Sequence, residues 1–231
     1  MPLDTATAAV AVDLVALTIL DDELCVRVAK RQTPPFRDHW ALPGRRISEE
    51  EDLFATAELE LARATGLAEL PVHHIEQLAA YGDPRRDPRG RVVSIAYLAL
   101  VAGASTWTHT PTRRWAAVSE LLEQPSATSA LAFDHHQILV DGVERARAEL
   151  EYTPLAAALC PETFTVGELR HVYEVVWSVR LDPRNFHRKV TSTAGFLAPA
   201  GAKTTRDGGR PAEVYRLGNA RTLHPPLTRP G

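Results

Sequence analysis

The sequence predicts a mixed α/β domain with flanking helices, followed by a C-terminal winged helix-turn-helix domain. Apolar runs and one helical pattern alternate over residues 10–101 in the order strand, strand, helix, strand, strand. After residue 160 come a capped helix, a tight turn and a second helix, and positive charge is concentrated there. For a chain of 231 residues we therefore expect one domain over 1–153, a second over 154–218, and a disordered tail over 219–231.

The first domain begins with a predicted β-hairpin. Residues 10–20 form an apolar run, Asp21-Asp22 favours a turn, and apolar residues then alternate with polar ones up to Lys30. The prolines and glycine in residues 31–44 predict an irregular loop, because proline cannot donate a backbone hydrogen bond.

A helix and two more strands are predicted after this loop. Apolar residues recur at helical spacing over residues 53–64, acidic residues precede them, and Gly66 follows the last turn. Residues 74–81 and 92–101 have strand patterns, and the prolines and glycines of 82–90 make the connection a loop. A further helix with an apolar stripe ends near residue 152, where the domain boundary is expected.

The second domain is predicted as helix, tight turn, helix and hairpin. Thr165 and Glu168 form a capping box at the start of the first helix. Asp182-Pro183 supplies an N-cap and a proline at the first position of the second helix. Two short apolar runs flank a glycine-rich loop over residues 201–211, which predicts a two-stranded ribbon.

The distribution of charge points to a polyanionic partner. From Cys160 onward there are eleven Lys and Arg residues against six Asp and Glu residues, a net charge of +5. Because the whole chain carries −3, the rest of it carries −8. A compact basic segment attracts nucleic acid, although a basic surface that only aids solubility is an equal alternative from charge alone.

The second helix of the basic domain is equipped to contact DNA. With Phe186 and Val190 facing the core, the polar side chains fall on the exposed side. Arginine and asparagine can bind base edges, and lysine can neutralise phosphate. An arginine between glycines and proline in the hairpin loop suits a minor groove. The expected DNA-binding residues are Arg184, Asn185, Arg188, Lys189, Lys203, Thr204, Arg206 and Arg210.

The predicted helix of the first domain resembles the Nudix box, with departures at its metal-binding positions. When the chain is aligned on Gly66-Leu67, Glu60 matches the first motif glutamate. Arg63 and Ala64 stand where two further metal-binding glutamates are expected. Three carboxylates on one helical face bind divalent cations, whereas one carboxylate beside an arginine does not. We therefore expect no metal, no other cofactor and no catalytic residue.

A wider resemblance covers most of residues 14–217. The stretch 81–97, the run Ala132-Phe-Asp-His135, the segments 151–154 and 181–186, and Gly209-Arg-Pro-Ala212 with Tyr215 all resemble NrtR-type regulators. This resemblance implies a Nudix-like effector domain fused to a winged helix. It also implies a homodimeric bacterial repressor of NAD biosynthesis and salvage genes that binds palindromic operator DNA and responds to ADP-ribose or a related nucleotide.

The nucleotide would be bound by cationic and aromatic side chains of the first domain. Arginine binds diphosphate in bidentate geometry, and tryptophan stacks on a base. Adjacent Arg45 and Arg46 depart from the family pattern and supply two further cations. The expected ligand-binding residues are Arg31, Trp40, Arg45, Arg86 and Arg89.

Composition excludes several other classes of protein. Two cysteines exclude a disulfide framework and a cysteine-only zinc site. No apolar stretch approaches the roughly 18 residues of a membrane span, so we expect a cytoplasmic protein with no membrane partner. The pairs His73-His74 and His135-His136 are expected to be surface or capping residues. The alternatives to a repressor are a Nudix hydrolase acting on ADP-ribose or another nucleoside diphosphate derivative, and a structural partner-binding module.

Overall fold

The structure, a computed structural model, describes residues 7–66, 72–102, 110–123, 131–205 and 211–230. Its elements are β1 (Ala9–Leu20), β2 (Glu23–Lys30), β3 (Trp40–Ala41), β4 (Gly44–Arg46), α1 (Leu53–Thr65), β5 (Val72–Tyr81), β6 (Val92–Val101), β7 (Arg113–Ala117), α2 (Val118–Leu122), α3 (His135–Tyr152), a 3-10 helix (Pro154–Leu159), β8 (Phe164–Thr165), α4 (Val166–Trp177), α5 (Pro183–Ser192), β9 (Leu197–Thr204) and β10 (Ala212–Leu217). We call the part up to α3 the body and the part from β8 to β10 the winged helix.

A mixed sheet forms the centre of the body. Within the described residues it has seven strands, in the order β3-β2-β1-β6-β5, with β4 paired to β1 and β7 paired to β2. Strands β1 and β6 run parallel, whereas β5 is antiparallel to β6 and β2 is antiparallel to β1. The predicted α/β body with a mixed sheet is therefore confirmed.

Both faces of this sheet are covered, which explains the long apolar run of β1. Val12 and Leu14 pack in one cluster with Leu61 of α1. Val15 and Leu17 lie in a second cluster on the other side, together with residues of α3. A strand buried on both faces needs apolar residues at successive positions instead of strict alternation. The second cluster continues into the winged helix, so the two parts share buried apolar surface.

The loop predicted over residues 31–44 contains regular structure, which corrects that expectation. Trp40 and Ala41 pair with β2, and Gly44 begins the short strand β4 beside β1. At Gly44 a Cβ atom would lie 2.4 Å from both Asp13 Oδ1 and the Val12 carbonyl oxygen, so only glycine permits this pairing. Strand β7 and helix α2 were also missed; β7 carries two arginines and lacks an alternating apolar pattern.

The winged helix forms as its local signals predict. The Thr165 hydroxyl accepts a hydrogen bond from Glu168 N at 3.0 Å, and the Glu168 carboxylate accepts one from Thr165 N at 2.6 Å. This completes the predicted capping box. Strands β8, β10 and β9 form the accompanying sheet. The ribbon is longer than expected, because β9 continues through Thr204 into the predicted glycine-rich loop.

The chain after β10 is ordered against the protein, which corrects the disordered tail expected over residues 219–231. Leu223 is 2% exposed and Leu227 is 4% exposed. Their backbone N–H groups donate to the carbonyl oxygens of Tyr152 and Glu151, respectively. The prolines of this segment suggested disorder, but two leucines four residues apart provide enough apolar surface to anchor it.

Candidate nucleic-acid interface and effector site

Helix α5 is held in place within the winged helix by its N-terminal cap and its apolar face. The Asp182 carboxylate accepts a hydrogen bond from Asn185 N at 2.7 Å, and Pro183 occupies the first turn. Phe186 and Val190 are buried, and the Phe186 ring centroid lies 5.3 Å from that of Tyr173 in α4. The helix therefore presents its other side to solvent in a fixed orientation.

The exposed side of α5 carries the side chains predicted from the sequence. Arg184, Asn185, Arg188 and Lys189 are all exposed, which confirms their predicted orientation. An Arg188 guanidinium nitrogen donates to Asn185 Oδ1 at 2.8 Å, so Asn185 helps to orient the arginine. His187 is also exposed on this helix.

The wing contributes fewer described residues. Lys203 is exposed on β9, opposite Glu213 of β10, and Thr204 is half-buried at the end of that strand. Arg206 and Arg210 lie outside the described residues. The structure therefore describes two of the four residues predicted to contact DNA from the wing, Lys203 and Thr204.

Glu60, which the sequence alignment matches to the first motif glutamate, is held by two arginines. Its Oε1 atom lies 3.0 Å from a terminal guanidinium nitrogen of Arg63 and 3.2 Å from Arg45 Nε. Arg45 also donates two hydrogen bonds to the Glu51 carboxylate, at 2.6 and 2.8 Å. These bonds hold the pKa of Glu51 at about 2, below its ordinary value of 4.5. Glu51, expected to compensate the N-terminus of α1, instead pairs with Arg45, and Asp52 alone caps the helix.

This arrangement does not fit a divalent metal ion. Positions 60, 63 and 64 share one face of α1, but they offer one carboxylate, one guanidinium and one methyl group. Two cations already neutralise the carboxylate. Among the described residues, no group of three or more His, Cys, Asp or Glu side chains is placed to hold a metal.

An aromatic and cationic cluster lies at the start of α3. The Arg31 guanidinium carbon is 4.6 Å from the centroid of the Phe133 ring, and that of Arg89 is 5.6 Å from it. The Phe36 ring packs edge-on against Phe133, with centroids 4.9 Å apart. Phe133 and Phe36 both have positive φ, at 56° and 61°, a strained conformation for aromatic residues that is enriched at binding sites.

The cluster can bind an anion beside a planar ring. Arg89 is held by a bidentate pair with Asp87, at 2.7 and 2.9 Å, yet its side chain stays 45% exposed. Arg31 donates to the Pro35 carbonyl oxygen at 2.8 Å. Repulsion from Arg89 adds to partial burial in lowering the pKa of Arg31. An incoming diphosphate would relieve this repulsion between cations.

A buried polar network lies directly behind this cluster. Arg86 donates two hydrogen bonds to the Asp134 carboxylate, at 2.7 and 2.8 Å, and one to Asp13 at 3.3 Å. Asp13 also accepts from the Ser94 hydroxyl at 2.5 Å. Arg86 is 9% exposed, so its side chain does not lie on an exposed surface, and in this structure it is bound by these two carboxylates. Its role is to tie residues 82–90 to β1 and α3.

His135 completes the network, and its burial favours the neutral imidazole. Its Nδ1 atom accepts a hydrogen bond from Leu42 N at 3.0 Å, and its Nε2 atom lies 3.6 Å from Asp13 Oδ1. His135 is buried, so it is not the surface or capping residue that was expected from the sequence. Burial lowers the pKa of His135 below its ordinary value of 6.5. Asp13 and Asp134 oppose this shift, while Arg86 and Arg31 add to it.

We expect this histidine to make stability depend on pH. Below about pH 6.5 the unfolded chain binds a proton that folded His135 rejects, so stability is full above this pH and falls as pH decreases. The loss is at most about 1.4 kcal/mol per pH unit. Urea denaturation between about pH 7.5 and about pH 5.5 should show a shallower dependence in His135→Asn. Equal slopes in the parent and in His135→Asn would contradict the assignment.

The remaining predicted ligand residues are engaged elsewhere. The Trp40 ring has the Arg114 guanidinium 4.7 Å from its centroid, so one of its faces is already stacked. Arg45 belongs to the Glu51 and Glu60 cluster. Phe36 and Phe133 were missed as site residues, although Phe133 stands in a segment that resembles the regulator family. The structure thus brings together only Arg31 and Arg89 from the expected set.

Comparison with known proteins identifies the family. The family model of the NrtR DNA-binding winged helix domain matches residues 156–217. The ADPR responsive transcriptional repressor NtrR of Acinetobacter baylyi is 31% identical over 211 residues, covering 89% of this chain and 80% of that protein. This chain belongs to the NrtR family. That relative is a repressor by name, and the predicted resemblance to NrtR-type regulators is confirmed.

Solved structures of an NrtR protein share both parts of the fold. Shewanella oneidensis NrtR complexed with a 27mer DNA matches with a TM-score of 0.76 and 33% identity, over 93% of this chain and 99% of that chain. The NUDIX domain of that NrtR, complexed with ADP ribose, matches with a TM-score of 0.52 and 31% identity, over 63% of this chain and 93% of that chain. The Nudix-like body and the winged helix are therefore both confirmed. No helix among the described residues is long and apolar enough to cross a membrane.

Proposed function

We propose that this protein is a transcriptional repressor whose winged helix binds operator DNA and whose body binds ADP-ribose or a related nucleotide. The observation that carries this proposal is the exposed face of α5, where Arg184, Asn185, Arg188 and Lys189 stand ready for base and phosphate contacts. The NrtR relative complexed with DNA and the relative named as ADPR responsive support it. A surface of this composition on an otherwise acidic chain favours DNA over a structural partner.

The proposal extends to assembly and target genes. A winged helix contacts one half-site, so a homodimer on a palindromic operator would place two α5 helices about one helical turn apart. NAD biosynthesis and salvage genes are the proposed targets, since ADP-ribose is a product of NAD turnover. The domain boundary at 153/154 and the cytoplasmic location remain predictions. Footprinting on the DNA upstream of the protein's own gene, with and without ADP-ribose and NAD, tests the function directly; absence of any protected region would contradict it.

The nucleotide is proposed to bind at Phe133 between Arg31 and Arg89. Arg89→Ala should weaken ADP-ribose binding about tenfold or more, because a hydrogen bond to a charged group contributes about 1.5–3 kcal/mol. Isothermal titration calorimetry measures this change. Arg85→Ala is the matched control, since Arg85 lies on the same loop with its side chain 91% exposed. Equal loss in both variants, or none in Arg89→Ala, would remove Arg89 from the site.

Hydrolysis of ADP-ribose is not expected. The reaction at a Nudix site needs cations held by several carboxylates, whereas Glu60 here is neutralised by Arg45 and Arg63. Purified protein with magnesium or manganese should release no AMP from ADP-ribose above background. Turnover that requires metal and is lost in Glu60→Gln would instead support the hydrolase alternative.

A further inference from the structure

The last part of the chain, residues 218–230, runs from the wing back to the body, and we call it the strap. It begins where Gly218 N donates to the Phe196 carbonyl oxygen at 2.8 Å and Ala220 N donates to that of Gly195 at 2.9 Å. A Cβ atom at Gly218 would lie 2.1 Å from the Gly195 carbonyl oxygen, so this close approach requires glycine. The start of the strap is thereby fixed against the turn that follows α5.

The strap then binds the C-terminal end of α3. Leu223 N donates to the Tyr152 carbonyl oxygen at 2.7 Å, and Leu227 N donates to that of Glu151 at 2.9 Å. The last carbonyl groups of a helix have no partner within it, so the strap satisfies acceptors that α3 leaves open. Arg229 adds an ion pair with Glu144 of α3, at 3.5 Å.

The same segment lies beneath the DNA-contacting helix. Leu223 and Leu227 belong to the buried apolar cluster that the body and the winged helix share. Leu227 and Thr228 line a small crevice together with Trp177 of α4 and Phe186 of α5. Asn185 and Lys189, two of the residues proposed to contact DNA, line this crevice as well. One short segment therefore contacts α3 and the turn that follows α5, and it lines a crevice with the base of α5.

Among the described residues, two sets of polar contacts also join α4 to the body. His171 Nε2 lies 3.0 Å from Asp22 Oδ1 in the turn between β1 and β2. Trp177 Nε1 donates to the Arg147 carbonyl oxygen at 3.0 Å, and Arg147 Nε donates to that of Val176 at 2.9 Å. These links hold α4, whereas the strap supports the side on which α5 lies.

We propose that the strap is a positioning element for DNA recognition. By joining α5 to α3 it fixes the angle of the winged helix on the body, and hence the separation of the two α5 helices in a dimer. This inference rests on the proposed function, because a fixed separation matters only where two half-sites are bound together. Without the strap, each winged helix should still bind one half-site, but the pair should lose its fixed spacing.

The test uses the full chain with Leu223→Ser and Leu227→Ser combined. Thr222→Ala with His224→Ser is the matched control, since both of these strap residues are exposed. The probes are a duplex selected from random DNA by the parent, the same duplex with about five base pairs inserted at its centre, which is about half a helical turn, and a single half-site. Light scattering and circular dichroism verify that all proteins have the same assembly and fold.

The expected result is a change in spacing dependence alone. The parent and the control should lose about tenfold or more in affinity on the lengthened duplex, and the double variant about threefold or less. Binding to the single half-site should stay within about twofold of the parent in every protein. A double variant that keeps the parental spacing dependence would overturn the proposal. A double variant whose affinity falls equally on the full site and on the half-site would also overturn it, because the strap would then only stabilise the winged helix.

Hydrogen exchange separates failure of the strap from failure of the proposed function. The amides of Leu223 and Leu227 should exchange slowly in the parent, and exchange at the end of α3 and in α5 should accelerate in the double variant. Fast exchange of these two amides in the parent would overturn the strap even where DNA binding succeeds. A parent with protected amides but no spacing preference would instead contradict the two-half-site proposal and, with it, the role of the strap in spacing.

Discussion

Replacing Arg188 with alanine is expected to weaken operator binding by roughly 5- to 150-fold, which corresponds to about 1–3 kcal/mol. Arg188 is exposed near the middle of α5, and its guanidinium is oriented by Asn185 Oδ1 at 2.8 Å. An oriented guanidinium makes bidentate contacts to a guanine edge with little further loss of side-chain freedom. The loss should therefore be largest on the cognate sequence and small on unrelated DNA.

Lys203→Ala provides the comparison that separates base contact from phosphate contact. An exposed lysine on β9 neutralises phosphate without distinguishing bases, so its removal should weaken all duplexes to a similar degree. The magnitude of the slope of log affinity against log salt concentration should decrease by about one, which corresponds to one phosphate contact. Fluorescence anisotropy on operator and scrambled duplexes measures both effects. Identical behaviour of the two variants, or no effect of either, would contradict the assignment of α5 as the base-contacting helix.

Local signals were sufficient to predict the winged helix. Thr165 and Glu168 specify the start of α4, and Asp182-Pro183 specifies the start of α5, because caps depend only on residues within one turn. The exposed set on α5 followed from the spacing of Phe186 and Val190. Where a feature is encoded within a few residues, the sequence alone was enough.

Features built by distant residues could not be predicted in this way. Arg45 meets Glu60 across fifteen positions, and Arg86 meets Asp13 across 73, so neither pair has a pattern in the sequence. Arg86 and Arg89 lie in the same loop, and both were therefore interpreted as ligand-binding residues. Only the fold distinguishes them, since the first is buried among carboxylates and the second keeps nearly half of its side chain exposed.

This distinction predicts a large difference in stability between two substitutions on one loop. Arg86→Met should lower the free energy of unfolding by about 3–5 kcal/mol, because it leaves the carboxylates of Asp13 and Asp134 without their cation in a buried network. Arg89→Met should cost less, about 1–2 kcal/mol, because the buried Asp87 carboxylate loses its bidentate partner but keeps Arg46 at 3.3 Å. Methionine preserves most of the side-chain length, so lost packing contributes little to either value.

Urea denaturation near neutral pH measures both free energies, and ADP-ribose titration completes the comparison. Arg86→Met should reduce stability and, where the variant remains folded, retain much of the nucleotide binding. Arg89→Met should lose less stability than Arg86→Met while binding the nucleotide about tenfold more weakly. The outcome that contradicts this assignment is the reverse pattern, in which Arg86→Met is as stable as the parent but no longer binds. In that case the Asp13 and Asp134 carboxylates would be satisfied without Arg86, and its guanidinium would belong to the ligand.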